Sequence, residues 1–189
     1  MIWALVAVVV LVGIFLIGMY NSLVQLRVRC DSAWSDIDVQ LKRRHDLIPN
    51  LVETVKGYAA HEKGTFEDIA KFRSMAMQAT GPADKAAAEN QLTGALKSLF
   101  AVAENYPQLK ANENFLKLQN RISELEERIA DRREFFNDDV NTYNIRIAQI
   151  PDVFVASFMN LKPRPMFKVS DEDRRQVEVK FASSQGSGA

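Results

Sequence analysis

Residues 112–148 read NENFLKLQNRISELEERIADRREFFNDDVNTYNIRIA and place an apolar side chain at nearly every third or fourth position. Spacing of this kind puts those side chains on one face of an α-helix. The sequence therefore predicts one helix of about 37 residues, about 55 Å long, with a nearly straight apolar stripe. The stripe consists of Phe115, Leu118, Ile122, Leu125, Ile129, Phe136, Val140, Tyr143 and Ile147, and Arg133 is its charged member.

A second stripe, in residues 27–62, matches the first in length. Its apolar members fall on alternating first and fourth positions of a seven-residue repeat, and Arg44 occupies the one remaining position of the series. Pro49 lacks a backbone N–H, so we expect it to kink this helix or to begin a new one. The apolar members are Trp34, Ile37, Leu41, Ile48, Leu51, Val55 and Tyr58.

Two shorter helices are predicted between the long ones, over residues 65–79 and 82–105. The first begins with Thr65 and Asp68, which resemble a capping box, and a Gly-Pro turn separates the two helices. Because the two long helices match in length, antiparallel packing is favoured. We therefore predict an all-α fold in which residues 27–150 form an antiparallel up-and-down helical bundle with long first and last helices.

The N-terminal segment, residues 1–26, has a different composition, because the first ionisable side chain is Arg27. Residues 2–20, IWALVAVVVLVGIFLIGMY, form an apolar run that spans about 28 Å as a helix, close to the hydrocarbon thickness of a bilayer. A cleaved signal peptide is the alternative, but the segment lacks a basic start and a small-residue cleavage site. We predict a single transmembrane helix that continues into the bundle, with Trp3 and Tyr20 as interfacial anchors.

Arg27 and Arg29 follow the apolar run, and no Lys or Arg precedes it. Because positive charge favours the cytoplasmic side, this asymmetry predicts an N-terminus outside and a bundle in the cytoplasm.

Residues 151–165 are unusually apolar and follow the helix that returns toward the membrane. Phe154 and Phe158 could belong to an interfacial helix that enters the headgroups, or the segment could fold over the open end of the bundle core. Residues 166–189 are predicted to be an extended or disordered tail. Within that tail, Val177, Val179 and Phe181 alternate with polar residues, as in an edge strand.

Composition disfavours several classes of function. The 24 basic and 24 acidic side chains give no net charge, which disfavours nucleic-acid binding. One cysteine allows no internal disulfide, and no phosphate-binding loop or catalytic motif is found. His45 and His61 each stand beside one acidic residue, and we expect both to be solvent-exposed. The sequence thus predicts no enzyme, no metal site and no cofactor.

Polar side chains interrupt the apolar stripes of the predicted long helices. A buried arginine without a partner is very costly, so such residues require partners if they are in the core. A hydrogen-bonded network that sets the register of the helices is the first interpretation, and a ligand or partner site is the alternative. The residues concerned are Arg44, Glu126, Arg133, Asn137 and Asn144.

Two long stretches, residues 33–62 and 106–144, resemble the LemA family of bacterial membrane proteins. The specific motifs are Asp46-Leu47-Ile48-Pro49-Asn50-Leu51-Val52 and Tyr106-Pro107-x-Leu109. Phe136 and Ile150 depart from the residues common in the family. The resemblance implies a bacterial cell (inner) membrane location, one N-terminal membrane helix, an antiparallel bundle and no established enzymatic activity. It also implies kinship with a protein of magnetosome membranes.

Two functions follow as hypotheses. In the first, the protein is a scaffold that forms homo-oligomers, contacts membrane lipid and organises or remodels the bilayer. In the second, it is an adaptor that presents its bundle to another membrane protein, such as a protease or a signalling enzyme. Gly13 and Gly18 are five residues apart and do not form a GxxxG contact motif, so the membrane helix itself offers no evident contact face.

Overall fold

The computed structural model describes residues 1–167, so the predicted strand of the tail lies outside the described residues. All regular secondary structure in residues 1–167 is helical, as predicted. The helices are α1 (Ile2–Lys56), α2 (Lys63–Gln78), α3 (Pro82–Ala103), α4 (Pro107–Lys110), α5 (Glu113–Ala148) and α6 (Asp152–Phe158).

Helix α1 passes without a break from the apolar run into the bundle. It is 55 residues long and is the one helix in residues 1–167 that is long and apolar enough to cross a membrane. Its side chains are almost all exposed before Met19, and the first fully buried side chain is Leu23. The predicted membrane helix and the first bundle helix are therefore one continuous helix.

Pro49 does not end α1, so of the two predicted effects, a kink or a new helix, the new helix is wrong. Proline at this position deprives the His45 carbonyl of its helical donor, four residues earlier. Arg73 of α2 replaces that donor, because its Nε donates to the His45 carbonyl oxygen at 2.9 Å. The helix therefore continues through Pro49 and ends at Lys56, six residues before the predicted end.

Helices α1 and α5 pack antiparallel along their length. In the contact pairs between these two parts of the chain, the partner's residue number falls as the residue number on the α1 side rises, as it must when two helices are antiparallel. The pairs are Ser22 with Arg146, Asp36 with Arg132, Arg44 with Glu126, and Tyr58 with Asn112.

Helices α2 and α3 join α1 and α5 in the half of the bundle farther from the apolar run. Side chains of all four helices share one core there, including Leu51, Ile69, Leu92 and Phe115. In the other half, α1 and α5 form a two-helix section with a separate core, which Ala86 near the start of α3 also enters. Ala156 and Phe167, in the segment after α5, complete that second core.

The starts of the helices differ in detail from the predictions. Helix α2 begins at Lys63 and has no side-chain cap, so the expected capping box at Thr65 is wrong. Helix α5 begins one residue after Asn112, whose side chain accepts a hydrogen bond from the Phe115 N–H at 3.0 Å. Helix α4 was not predicted, because four residues are too few to produce a periodic pattern.

Candidate functional site

A buried ion network joins three helices in the middle of the bundle. Arg44 of α1 is fully buried and donates to the carboxylates of Glu89 on α3 and Glu126 on α5. It also donates to the Thr93 hydroxyl of α3 at 2.8 Å. His45 Nε2 lies 2.9 Å from the second carboxylate oxygen of Glu89. The network therefore ties α1, α3 and α5 in one register.

The charges of this network compensate one another. Burial raises the pKa of Glu89, but the hydrogen bond from His45 and the positive charge of Arg44 outweigh that effect and hold the pKa below its ordinary value. Glu89 is thus a buried carboxylate stabilised in its charged form. The side chain of Glu126 is 30% exposed to solvent, whereas the side chains of Arg44 and Glu89 are fully buried. The arrangement is suited to holding helices together.

Two asparagines of α5 bind the end of the described chain. Residues 161–167, here called the strap, run back along α5 as an extended segment. Asn144 exchanges two hydrogen bonds with the backbone of Arg164, at 2.9 and 2.8 Å, and Asn137 does the same with Phe167, at 3.0 and 2.8 Å. Asn137 and Asn144, which interrupt the predicted apolar stripe, therefore pair with the backbone of the strap.

The strap is anchored by Phe167, whose side chain is fully buried. Its ring packs against Trp34 of α1 with centroids 6.1 Å apart, and the guanidinium of Arg133 lies 4.4 Å from the ring centroid. At the surface, Arg164 donates to Asp31 at 2.6 Å. The strap thus closes the two-helix section and crosses the domain boundary predicted at residue 165.

Helix α6 lies beside the last turns of the apolar run. Its Asp152 is buried and forms an ion pair with Arg146 of α5 at 2.9 Å, and its Ala156 packs into the core of the two-helix section. Phe154 and Phe158, by contrast, are 70% and 91% exposed. Helix α6 therefore covers the end of the core with one face and directs two aromatic rings outward with the other.

A groove of about 440 Å³ separates α6 from α1. It is lined by Leu16, Ile17 and Tyr20 of the apolar run and by Phe154, Val155 and Phe158. Its lining is almost entirely apolar. The predicted anchor Trp3 lies exposed near the other end of the run, and Arg27 and Arg29 are exposed on α1 beyond the groove.

The motif residues do not converge on one site. Asp46, Pro49 and Asn50 lie on an exposed face of α1. Tyr106 is half-buried and its hydroxyl donates to Glu62 at 3.4 Å, while Pro107 begins α4. Tyr106 and Pro107 thus form the start of α4, whereas Asp46, Pro49 and Asn50 lie within α1.

The prediction that His45 is exposed is wrong, since it is 6% exposed and paired with Glu89. The sequence contains a pattern that indicates burial of both His45 and Glu89. His45 follows Leu41 by four residues and precedes Ile48 by three, so it falls on the apolar stripe of α1. Glu89 likewise precedes Leu92 by three residues on α3. In residues 1–167, no group of three or more His, Cys, Asp or Glu side chains is arranged to hold a metal ion.

The structure of residues 1–167 is that of a membrane-associated protein in which one long apolar helix extends directly into a helical bundle. The chain belongs to the LemA family, whose model matches residues 33–181. The resemblance in the two motif-bearing stretches is thereby confirmed.

Individual relatives support the same assignment. The chain is 27% identical over 175 residues to magnetosome protein MamQ 2 of Paramagnetospirillum magneticum, a match covering 79% of this chain and 64% of the relative. It is 26% identical over 169 residues to magnetosome protein MamQ of Magnetospirillum gryphiswaldense, covering 76% and 62%. Identity to protein LemA of Metamycoplasma hominis is 26% over 175 residues, covering 89% and 78%. The matched part thus spans less than two thirds of these MamQ proteins.

Proposed function

We propose that this protein is a non-enzymatic, membrane-anchored scaffold that self-associates and organises the bilayer. The observation that carries the proposal is the continuity of α1, which extends from Ile2 to Lys56 with no linker between membrane segment and bundle. A continuous helix transmits orientation, whereas a flexible linker would not. The angle of the bundle therefore sets the angle of the membrane helix.

The bundle also begins close to the membrane. Leu23 is fully buried, only three residues beyond the predicted interfacial anchor Tyr20, which corresponds to about 4.5 Å along the helix. Two subunits in contact through their bundles would consequently hold their membrane helices at a defined distance and angle. Lipid would fill the space between those helices.

The surface of α1 offers a contact for a second copy. Val28 and Val39 are 55% and 46% exposed and lie eleven residues apart, which is three helical turns, so they share one face. The zero net charge of the chain allows bundles to approach without overall repulsion. Self-association through this face is consistent with closed or repeating assemblies.

The proposed location in the cell rests on the positive charges that follow the membrane segment. Arg27 and Arg29 support a bundle in the cytoplasm and an N-terminus outside the bacterial inner membrane. The apolar part of α1 supports a role in a membrane rather than in solution, and two relatives are named as magnetosome proteins.

The test is the mass and shape of the gently solubilised protein, compared with a chain lacking residues 1–26. Light scattering and negative-stain microscopy are expected to show a large, regular, lipid-containing assembly that collapses without the membrane helix. A monomer or dimer of both chains would overturn the scaffold. It would favour the adaptor, which needs an exposed surface for another membrane protein instead of a repeating self-contact.

A further inference from the structure

The exposed aromatic rings of α6 lie at the level of the membrane segment. The groove beside them is lined by Leu16, Ile17 and Tyr20, which are the last turns of the apolar run. If residues 2–20 fill the hydrocarbon core, α6 sits at the edge of that core. Its position is set by its contacts with α1 and by the ion pair of Asp152 with Arg146.

The distribution of charge along α1 supports the same depth. Arg27, the first charged side chain, is seven residues beyond Tyr20, or about 10 Å along the helix axis. This distance is enough to cross the headgroup layer on one side of a bilayer, about 5–7.5 Å. The rings of Phe154 and Phe158 line the groove at the level of Leu16 and Tyr20, on the apolar side of Arg27.

The two faces of α6 have different partners. Ala156 is buried against the bundle, whereas Phe154 and Phe158 are four residues apart in α6 and are 70% and 91% exposed. Spacing by four places these two aromatic side chains on one side of the helix. A side this apolar, next to a membrane helix, matches an interfacial helix.

We propose that α6 is inserted into the leaflet on the bundle side, with Phe154 and Phe158 among acyl chains, and that one phospholipid acyl chain occupies the groove between α6 and α1. The bundle is then held to the bilayer at two points, the membrane helix and α6. Insertion of α6 adds volume only to the leaflet on the bundle side. This inference goes beyond the proposed scaffold and does not require self-association.

Lipid contact at Phe158 tests the proposal. The full-length chain carries Cys30→Ala, which removes the buried native thiol, and Phe158→Cys, which receives an environment-sensitive fluorophore. It is reconstituted at no more than one chain per vesicle in phosphatidylcholine and phosphatidylglycerol, with part of the lipid brominated on the acyl chain. Dilution to one chain separates this result from the fate of the self-association proposal.

Phe135→Cys in the same background is the matched control. Phe135 is also an exposed phenylalanine, at 60%, but it lies beside Gln40, which is twenty residues or about 30 Å along α1 from Tyr20. Circular dichroism and thermal unfolding of both labelled chains show that each is folded. Both labels replace exposed rings, so neither is expected to alter the fold.

The expected result is severalfold greater quenching by brominated acyl chains at position 158 than at 135. Equal quenching at the two positions would overturn the proposal, because α6 would then face water. A blue-shifted emission at 158 without quenching by lipid would also overturn it, since the ring would then be covered by protein.

Discussion

The carboxamide of Asn144 forms a two-way hydrogen-bonded pair with the backbone of Arg164: its Nδ2 donates to the carbonyl at 2.9 Å and its Oδ1 accepts from the N–H at 2.8 Å. Asn137, two helical turns away on α5, repeats this pairing with Phe167. Seven residues of helix extend about 10 Å, and three residues of extended chain also extend about 10 Å. The distance from Asn137 to Asn144 along α5 therefore equals the distance from Arg164 to Phe167 along the strap, so both asparagines can pair with the strap backbone.

Asn137→Asp is expected to release the strap. The ionised carboxylate accepts hydrogen bonds but cannot donate to the Phe167 carbonyl, and a buried acceptor left unpaired costs about 1–3 kcal/mol. Hydrogen exchange measures this directly, since the N–H groups of Arg164 and Phe167 should lose protection while the core of α1 and α5 keeps it.

Asn141→Asp is the control for this change, because Asn141 is exposed on the same helix. The two substitutions add the same charge. Equal protection of the strap in both variants would contradict the assigned role of Asn137.

Arg44→Met is expected to reduce the free energy of unfolding by about 3–5 kcal/mol, because it leaves Glu89 buried without its charged partner. Urea unfolding of the detergent-solubilised protein measures the change. Arg43→Met, at the neighbouring exposed position, should alter stability by less than about 0.5 kcal/mol. A small loss in Arg44→Met would show that the network contributes little.

Acid is expected to destabilise the bundle through Glu89. The pKa of this carboxyl in the folded chain is below its ordinary value of 4.5, so the unfolded chain binds the proton more readily. The stabilisation is fully present above pH 4.5 and is lost as the pH falls through the lower, folded pKa. Urea unfolding between pH 7 and pH 3 should therefore show a weaker pH dependence for Glu89→Gln than for the unaltered chain.

Glu134→Gln serves as the comparison, since Glu134 is exposed on α5. Its acid dependence should follow that of the unaltered chain. If Glu89→Gln did so as well, the destabilisation by acid would have to come from other carboxyl groups.

The bundle could be predicted from sequence because periodic apolar stripes depend on local geometry alone. The stripe of α5 predicted that helix within one residue of its start. The partners of its polar residues could not be predicted, because Asn137 and Asn144 pair with the strap, an extended segment with no periodicity. Arg44 and Glu126 interrupt predicted stripes, but Glu89, the other acidic partner of Arg44, lies on α3, and only packing in three dimensions brings it to Arg44.

The effect of Pro49 could not be read from α1 alone either. Proline leaves the carbonyl four residues earlier without its helical donor, and here Arg73, 28 residues away from His45 in sequence, donates to it. Local sequence shows which donor is missing, whereas the replacement depends on how α2 packs.

Arg73→Met is therefore expected to cost about 1–3 kcal/mol, the range for an unpaired buried polar group. In a Pro49→Ala chain the same substitution should cost less, because the alanine N–H can donate to the His45 carbonyl. A double-mutant cycle by urea unfolding measures this coupling. Additive effects of the two substitutions would contradict it, and Lys71→Met provides a comparison at an exposed position of α2.

Val39→Glu tests the proposed contact between copies. Val39 is 46% exposed, so glutamate should leave the fold intact but place a charge inside the proposed contact, where its burial is costly. Light scattering should show a large fall in assembly mass, and Val28→Glu should act similarly because both residues share one face of α1. Leu116→Glu, at a position on α5 that is 39% exposed, introduces the same charge outside the proposed face and should leave the mass unchanged. Dissociation by all three variants would indicate an unspecific effect of charge, and unchanged mass in both valine variants would place the contact elsewhere.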